Sequence, residues 1–171
     1  MRTTCAKTKA SPRTEGFTLI EALVTVAIAA VLLAIGMPGM ANLLSDARLA
    51  SQSDLLVSTL NHARTQALQQ RMDFTVCPAI TPNAAAACTP GLQAWGTGWI
   101  TFGNAAVRQR VEAKSGVTVT AAFDDVSFRG TVGSAMLARS FVVCASGRRQ
   151  HLVDVNLSGS VRKRIGNAVC P

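Results

Sequence analysis

The side chains best placed to do chemistry in this chain are four late cysteines, a C-terminal run of cations and one carboxylate set in an apolar stretch. Cys77, Cys88, Cys144 and Cys170 lie in the last hundred residues, and Cys5 stands apart near the start. The odd total becomes even if Cys5 is removed or kept in another compartment. No Cys-x-x-Cys pair exists, and the only histidines, His62 and His151, are far apart, so no metal site is expected. Disulfides are the expected chemistry, in an oxidising compartment. Four cysteines allow three pairings, and spacing does not choose among them. We favour Cys77–Cys88, which would tie down a loop of ten residues rich in Pro, Asn and Ala, and Cys144–Cys170, which would staple the C-terminus to a strand.

The cations are concentrated. From Arg139 to Pro171 there are six bases, Arg139, Arg148, Arg149, Arg162, Lys163 and Arg164, against one acid, Asp154. The whole chain has 17 Lys and Arg and 9 Asp and Glu; the first sixteen residues hold four of these bases and one acid, which leaves 13 against 8. The resulting excess of five equals that of the C-terminal stretch alone. Such clustering is the footprint of a phosphate-backbone binder. Arg162 and Arg164 share one face of a strand, and a folded hairpin 141–165 could gather Arg148 and Arg149 with them. The competing reading is a solvated basic surface or a contact for acidic partner proteins. Double-stranded DNA held by charge, without sequence specificity, is the sharper expectation, because no recognition helix is present. Trp95 and Trp99 read as core or loop packing, not as a base-stacking platform.

Catalysis is not expected, and neither is a cofactor. Gly96 and Gly98 lack the continuation of a phosphate loop. Ser146 is not in a nucleophile elbow. Asp124 and Asp125 are adjacent and would diverge on any strand. His151 has Asp154 and Asn156 only as sequence neighbours.

The carboxylate is Glu21. It precedes residues 22–41, twenty residues without a charge, which is enough helix to span a hydrocarbon core. Arg2, Lys7, Lys9 and Arg13 lie ahead of it, so the N-terminus should stay cytoplasmic and the rest be exported. A signal peptide removed whole fits less well, since the apolar run continues into a helical pattern and shows no cleavage site. A carboxylate beside such a run is costly in lipid and points to a role.

The string Glu15-Gly16-Phe17-Thr18-Leu19-Ile20-Glu21 resembles the processing site of type IV prepilins and type II secretion pseudopilins. The resemblance implies cleavage between Gly16 and Phe17 by a prepilin peptidase, N-methylation of Phe17, and pairing of Glu21 with the amine of a neighbouring subunit. Pro38, Gly36 and Gly39 fall where pilins often break the helix.

Beyond the anchor, Leu49, Leu56, Leu60, Ala63 and Ala67 form a helical stripe, so helix is expected to about Arg71, loosened near Pro38. Short strands follow, among them 74–76, 99–102, 117–120, 141–144, 151–157 and 161–165, with turn signals between them. The expected class is α+β and pilin-like, a long N-terminal helix packed on an antiparallel β-sheet globular domain. Its expected parts are leader 1–16, membrane and filament-core helix 17–41, amphipathic continuation 42–71 and β-rich domain 72–171.

The order of Phe74-Thr75-Val76-Cys77-Pro78, Cys88, Trp95, Gly98-Trp99-Ile100-Thr101-Phe102, Phe141-Val142-Val143-Cys144 and Ser158-Gly159-Ser160-Val161-Arg162-Lys163-Arg164 resembles the FimT/GspH family of minor pilins and pseudopilins. The four-cysteine body looks closer to the FimT type. That resemblance implies a minor type IV pilin that binds DNA through Arg148, Arg149, Arg162, Lys163 and Arg164 and supports DNA uptake and pilus biogenesis. The alternative is an H-type pseudopilin of type II secretion, or a purely structural minor pilin. The DNA-binding members carry Gly-Arg-x-Arg. Here Ser160 follows the glycine, and Val161 precedes Arg162-Lys163-Arg164, so the match is partial. Expected partners are the prepilin peptidase/N-methyltransferase, other pilins or pseudopilins, the membrane and double-stranded DNA. The expected location is the inner membrane, with the globular domain periplasmic, and then the filament.

Overall fold

The computed structural model describes residues 17–89, 91 and 95–171, without the side chains of 35–39. Two compact units divide it at Met40 and Ala41. One helix, α1 (Leu19–Gln70), contributes to both. It starts where the Thr18 hydroxyl accepts the Glu21 amide at 3.3 Å, a helix N-cap. In the first unit its apolar side chains, including Leu23, Ile28, Val31 and Leu32, are exposed in the isolated chain. The helix runs without interruption through Pro38, where a loosening was expected. Among the described residues no helix is long and apolar enough to cross a membrane. The uncharged run 22–41 passes through 35–39, whose side chains lie outside that set.

In the second unit the helical stripe is the inner face: Leu49, Leu56, Leu60, Ala63 and Ala67 are all buried. Helix ends as expected, with Arg71 turning into the left-handed region at φ 53°. The strands are β1 (Phe74–Pro78), β2 (Gly98–Gly103), β3 (Ala106–Glu112), β4 (Thr118–Ala121), β5 (Val126–Phe128), β6 (Arg139–Cys144), β7 (Arg149–Val155) and β8 (Val161–Val169). All pairings are antiparallel, in two sheets ordered β3-β2-β1-β5 and β4-β6-β7-β8. Period-two patterning marks strands but does not reveal this division, because it says nothing about which strands are neighbours.

The core lies between α1 and the inner faces of both sheets. Phe74, Val76, Trp99 and Phe128 come from the first sheet, and Phe141, Val143, Val153 and Val155 from the second. Trp95 stands edge-on to Phe123 and Phe141, with ring centroids at 5.9 and 4.9 Å, and its indole N–H donates to the Phe123 carbonyl at 2.8 Å. That bond satisfies the one polar atom its burial would otherwise strand. Both tryptophans are therefore core. Cys77, Ala79 and Ile100 form a smaller cluster on the far face of the first sheet.

Both favoured disulfides are present, Cys77–Cys88 and Cys144–Cys170, with Cα atoms 5.5 and 5.6 Å apart. The last strand runs four residues past the expected Ile165. The register shifts between Arg149 and His151, where β8 holds two more residues than β7, so that Val169 pairs with Arg149. At Gly166, inside this interval, a Cβ would meet the flexible Gln150 side chain at 2.7 Å. The extension delivers Cys170 to Cys144. β7 ends at Val155, two residues before the expected Leu157, because Asn156–Ser160 closes the hairpin, with Gly159 at φ +79°.

Candidate functional site

The β7–β8 hairpin carries most of the singled-out cations, and its pleat sorts them. His151, Val153 and Val155 on β7 face α1; Lys163 lies opposite Val153 and Ile165 opposite His151. Arg162, opposite Asp154, and Arg164, opposite Leu152, are on the outer face. Arg148 precedes β7 in a turn, and Arg149 starts the strand. The five residues therefore do not form one patch. Arg162 and Arg164 are together, and Arg148 and Lys163 turn towards the helix.

Three of the five are occupied. Lys163 is ion-paired and hydrogen-bonded to Asp54 of α1. Arg148 pairs with Asp46 of α1 at 3.3 Å. Arg164 donates to Asp154 at 2.6 Å, and Ser140 donates to the same carboxylate at 2.6 Å. The Arg164 hydrogen bond holds the Asp154 carboxyl below its ordinary range, against the opposing effect of burial. Arg149 and Arg162 are exposed and have no ion-pair partner among the described residues. Arg139, the sixth cation of the stretch, lies over the Phe123 ring at 4.7 Å and 3.8 Å from Asp125.

His151 sits between the two helix contacts. Its Nδ1 is 2.9 Å from the Ser53 hydroxyl, which is itself 2.7 Å from the Leu49 carbonyl. A hydroxyl has one proton. If Ser53 gives it to Leu49, Nδ1 carries the ring proton and donates, which leaves Nε2 as acceptor. Burial pushes the His151 pKa below 6.5, and the Lys163 cation acts in the same direction; Asp54 and Asp46 oppose them. Two further ties join helix and sheets: the Lys114 amide donates to Gln52 Oε1 at 3.1 Å, and Arg64 donates to the carbonyls of Gly133 at 2.9 Å and Ser158 at 3.2 Å. Sequence reading missed Asp46, Asp54 and Ser53 as partners. Polar positions on an amphipathic helix normally mark the solvent side, and nothing local shows that a strand about a hundred residues later meets them.

Two open grooves flank β8. One, of about 620 Å³, lies on the helix side and is lined by Asp46, Leu49, Arg148, Arg149, His151, Lys163, Ile165 and Val169, among others. The other, of about 630 Å³, is on the outer side and includes Arg139, Ser140, Asp154, Arg162 and Arg164. Neither brings together a nucleophile, a base and an oxyanion donor. Among the described residues no cluster of His, Cys, Asp and Glu could hold a metal ion. Of the processing residues, Gly16 lies outside the described residues. Phe17 is exposed, and Glu21 is in the first turn of α1.

Residues 52–159 match the family described as Type II transport protein GspH. Residues 12–37 match the prokaryotic N-terminal methylation motif. No curated protein sequence matches the chain. Among solved structures, the type IV minor pilin FimU of Pseudomonas aeruginosa PAO1 is similar, with 14% identity, coverage of 70% of this chain and 93% of that one, and a TM-score of 0.51. The minor pseudopilin EpsH of the Vibrio cholerae Type 2 Secretion System is similar at 9% identity, with 71% and 99% coverage and a TM-score of 0.52. At these identities the likeness concerns the fold alone.

Proposed function

Because this chain belongs to the GspH family of type II transport proteins, we propose that it is a structural minor pilin or pseudopilin, which acts by assembling into a filament and not by catalysis. The observation that carries this reading is the methylation motif over 12–37 placed ahead of the family domain over 52–159. In this reading a prepilin peptidase cuts after Gly16 and the amine of Phe17 is methylated. The helix 17–41 anchors the subunit in the inner membrane with its globular unit in the periplasm, where both disulfides form. Glu21 then pairs with the amine of a neighbouring pilin or pseudopilin, since an apolar surrounding makes each charge depend on the other. The apolar side chains exposed along the first unit support burial in lipid or among like helices.

The choice between a type IV pilus and a type II secretion pseudopilus, and the closeness to FimT, rest on the four-cysteine body alone. DNA binding is the second reading. The unpaired Arg149 and Arg162 favour it. The occupation of Arg148, Lys163 and Arg164 by carboxylates weakens it, because each pair must open before its cation can neutralise a phosphate. The test is twofold. Full-length Glu21→Ala should be cleaved and stay in the membrane yet lose cross-linking to filament subunits; normal incorporation would reject the assembly role of Glu21. The unit Ala41–Pro171 should not retard duplex DNA at physiological salt. Retardation abolished by Arg149→Gln with Arg162→Gln would establish the DNA reading instead.

A further inference from the structure

Backbone is open along one edge of the second sheet. β8 is nine residues long and pairs only with β7, so the N–H and C=O groups of alternate residues on its other edge have no strand partner among the described residues. The other sheet edges are shorter. β4 and β5 are four and three residues long, and β5 is bridged by Ala135. β3 is a seven-residue edge that carries Arg108 and Arg110, and Arg110 donates to the Ala85 carbonyl of the disulfide-tied loop. On β8, Ile165 and Val169 are 56% and 65% exposed, unusual for β-branched residues on a strand.

Exposed edges are normally blunted by charge, and Arg162-Lys163-Arg164 would do so against a second copy. Two such edges brought together in antiparallel register about Lys163 would oppose cations to cations, and like charges placed opposite one another destabilise a pair. The same three residues leave one kind of partner favoured. The flanking grooves give the alternate side chains of an added strand somewhere to go, Arg162 and Arg164 on the outer side, Ile165 and Val169 on the helix side. Arg164 already serves Asp154 and Lys163 serves Asp54, so of these three Arg162 is without an ion-pair partner among the described residues.

We propose that the open edge of β8 takes an extended acidic segment of a partner protein as a fifth strand of the second sheet. Main-chain hydrogen bonds supply the affinity, and the two side-chain rows supply the selectivity. One row carries carboxylates over Arg162 and Arg164; the other carries small apolar side chains over Ile165 and Val169. The inference concerns the globular unit alone and goes beyond assembly through the N-terminal helix.

The experiment uses Ala41–Pro171, a compact unit that contains the whole buried core and both disulfides. The probe is a nine-residue synthetic peptide alternating valine and glutamate, with a valine–lysine peptide as control, followed by amide NMR. Saturable shifts confined to Val161–Val169 and its neighbours, with the glutamate peptide only, are expected. Arg162→Glu should weaken that binding about tenfold, as reversal of a cross-strand charge pair predicts. Arg129→Glu, the same charge change off this edge, should leave it unchanged, and an unaltered melting temperature shows that both variants fold. Failure of the glutamate peptide to bind overturns the proposal. So does equal binding of the two peptides, equal weakening by the two variants, or shifts at β8 produced by duplex DNA and not by the peptide. These outcomes do not bear on Glu21 or on filament assembly, so the two readings fail separately.

Discussion

The two sheets of the globular unit are built alike and used differently. The first is enclosed at its centre: β1 and β2 are buried along nearly their whole length, with the core on one face and the Cys77–Ile100 cluster on the other, and only its edge strand β3 is largely exposed. The second has one packed face and one that meets solvent, with Asp154, Arg162 and Arg164 outward and an open edge at β8. A sheet buried on both faces has little freedom to change its surface. A sheet buried on one face can keep its fold while its outer residues vary, so the first is read as scaffold and the second as the contact surface.

The strongest way to break this contrast is Trp99→Ala. Trp99 is fully buried in the first sheet, so truncation should cost about 3–5 kcal/mol in denaturant unfolding. A loss as small as that of a surface change would show the first sheet to be loosely packed. Next in size is removal of Cys144–Cys170 by a double serine change, which should cost about 2–4 kcal/mol. Its separation of 26 residues exceeds the 11 of Cys77–Cys88, and loop-closure entropy grows slowly with length, so losing Cys77–Cys88 should cost slightly less. A reversed order would show that the loop of the first sheet depends on its bond for more than loop-closure entropy.

The third effect is pH dependence. The folded pKa of His151 lies below its ordinary 6.5, so the unfolded chain binds this proton more readily. The contribution of His151 to stability is therefore fully present above about 6.5, declines as the pH falls through that value, and levels off below the folded pKa. Midpoints of thermal unfolding between pH 8 and pH 5 should show this decline, and His151→Gln should flatten it. A slope unchanged by the substitution would remove His151 from the seam. Last, Arg162→Ala should change stability by no more than about 0.5 kcal/mol, since its side chain is exposed and unpaired. A larger loss would mean that the outer face also supports the fold.

Much of the scaffold was legible. The stripe from Leu49 to Ala67 reports burial directly, because helical period is a local property. The disulfide pairing was favoured among three because it gave each of two loops a tie, and it is the pairing present. The charge sum was legible too, but not its fate: Arg148 and Lys163 meet Asp46 and Asp54 only after the chain has folded across about a hundred residues. Counting bases near the C-terminus cannot include acids brought there by α1. Strand ends were misplaced where local backbone geometry decides, at the register shift beside His151 and at the Asn156–Ser160 turn, since neither changes the hydrophobic pattern.

The ties between helix and sheets also have a mechanical consequence. Asp46, Gln52, Ser53, Asp54 and Arg64 each bond to the β-rich part, over a length of about 27 Å at the helical rise. A pull directed along the helix axis loads these bonds in parallel, as shear, and several must rupture together. A pull that peels the helix sideways loads them one after another. The unit should therefore bear tension along its helix better than across it.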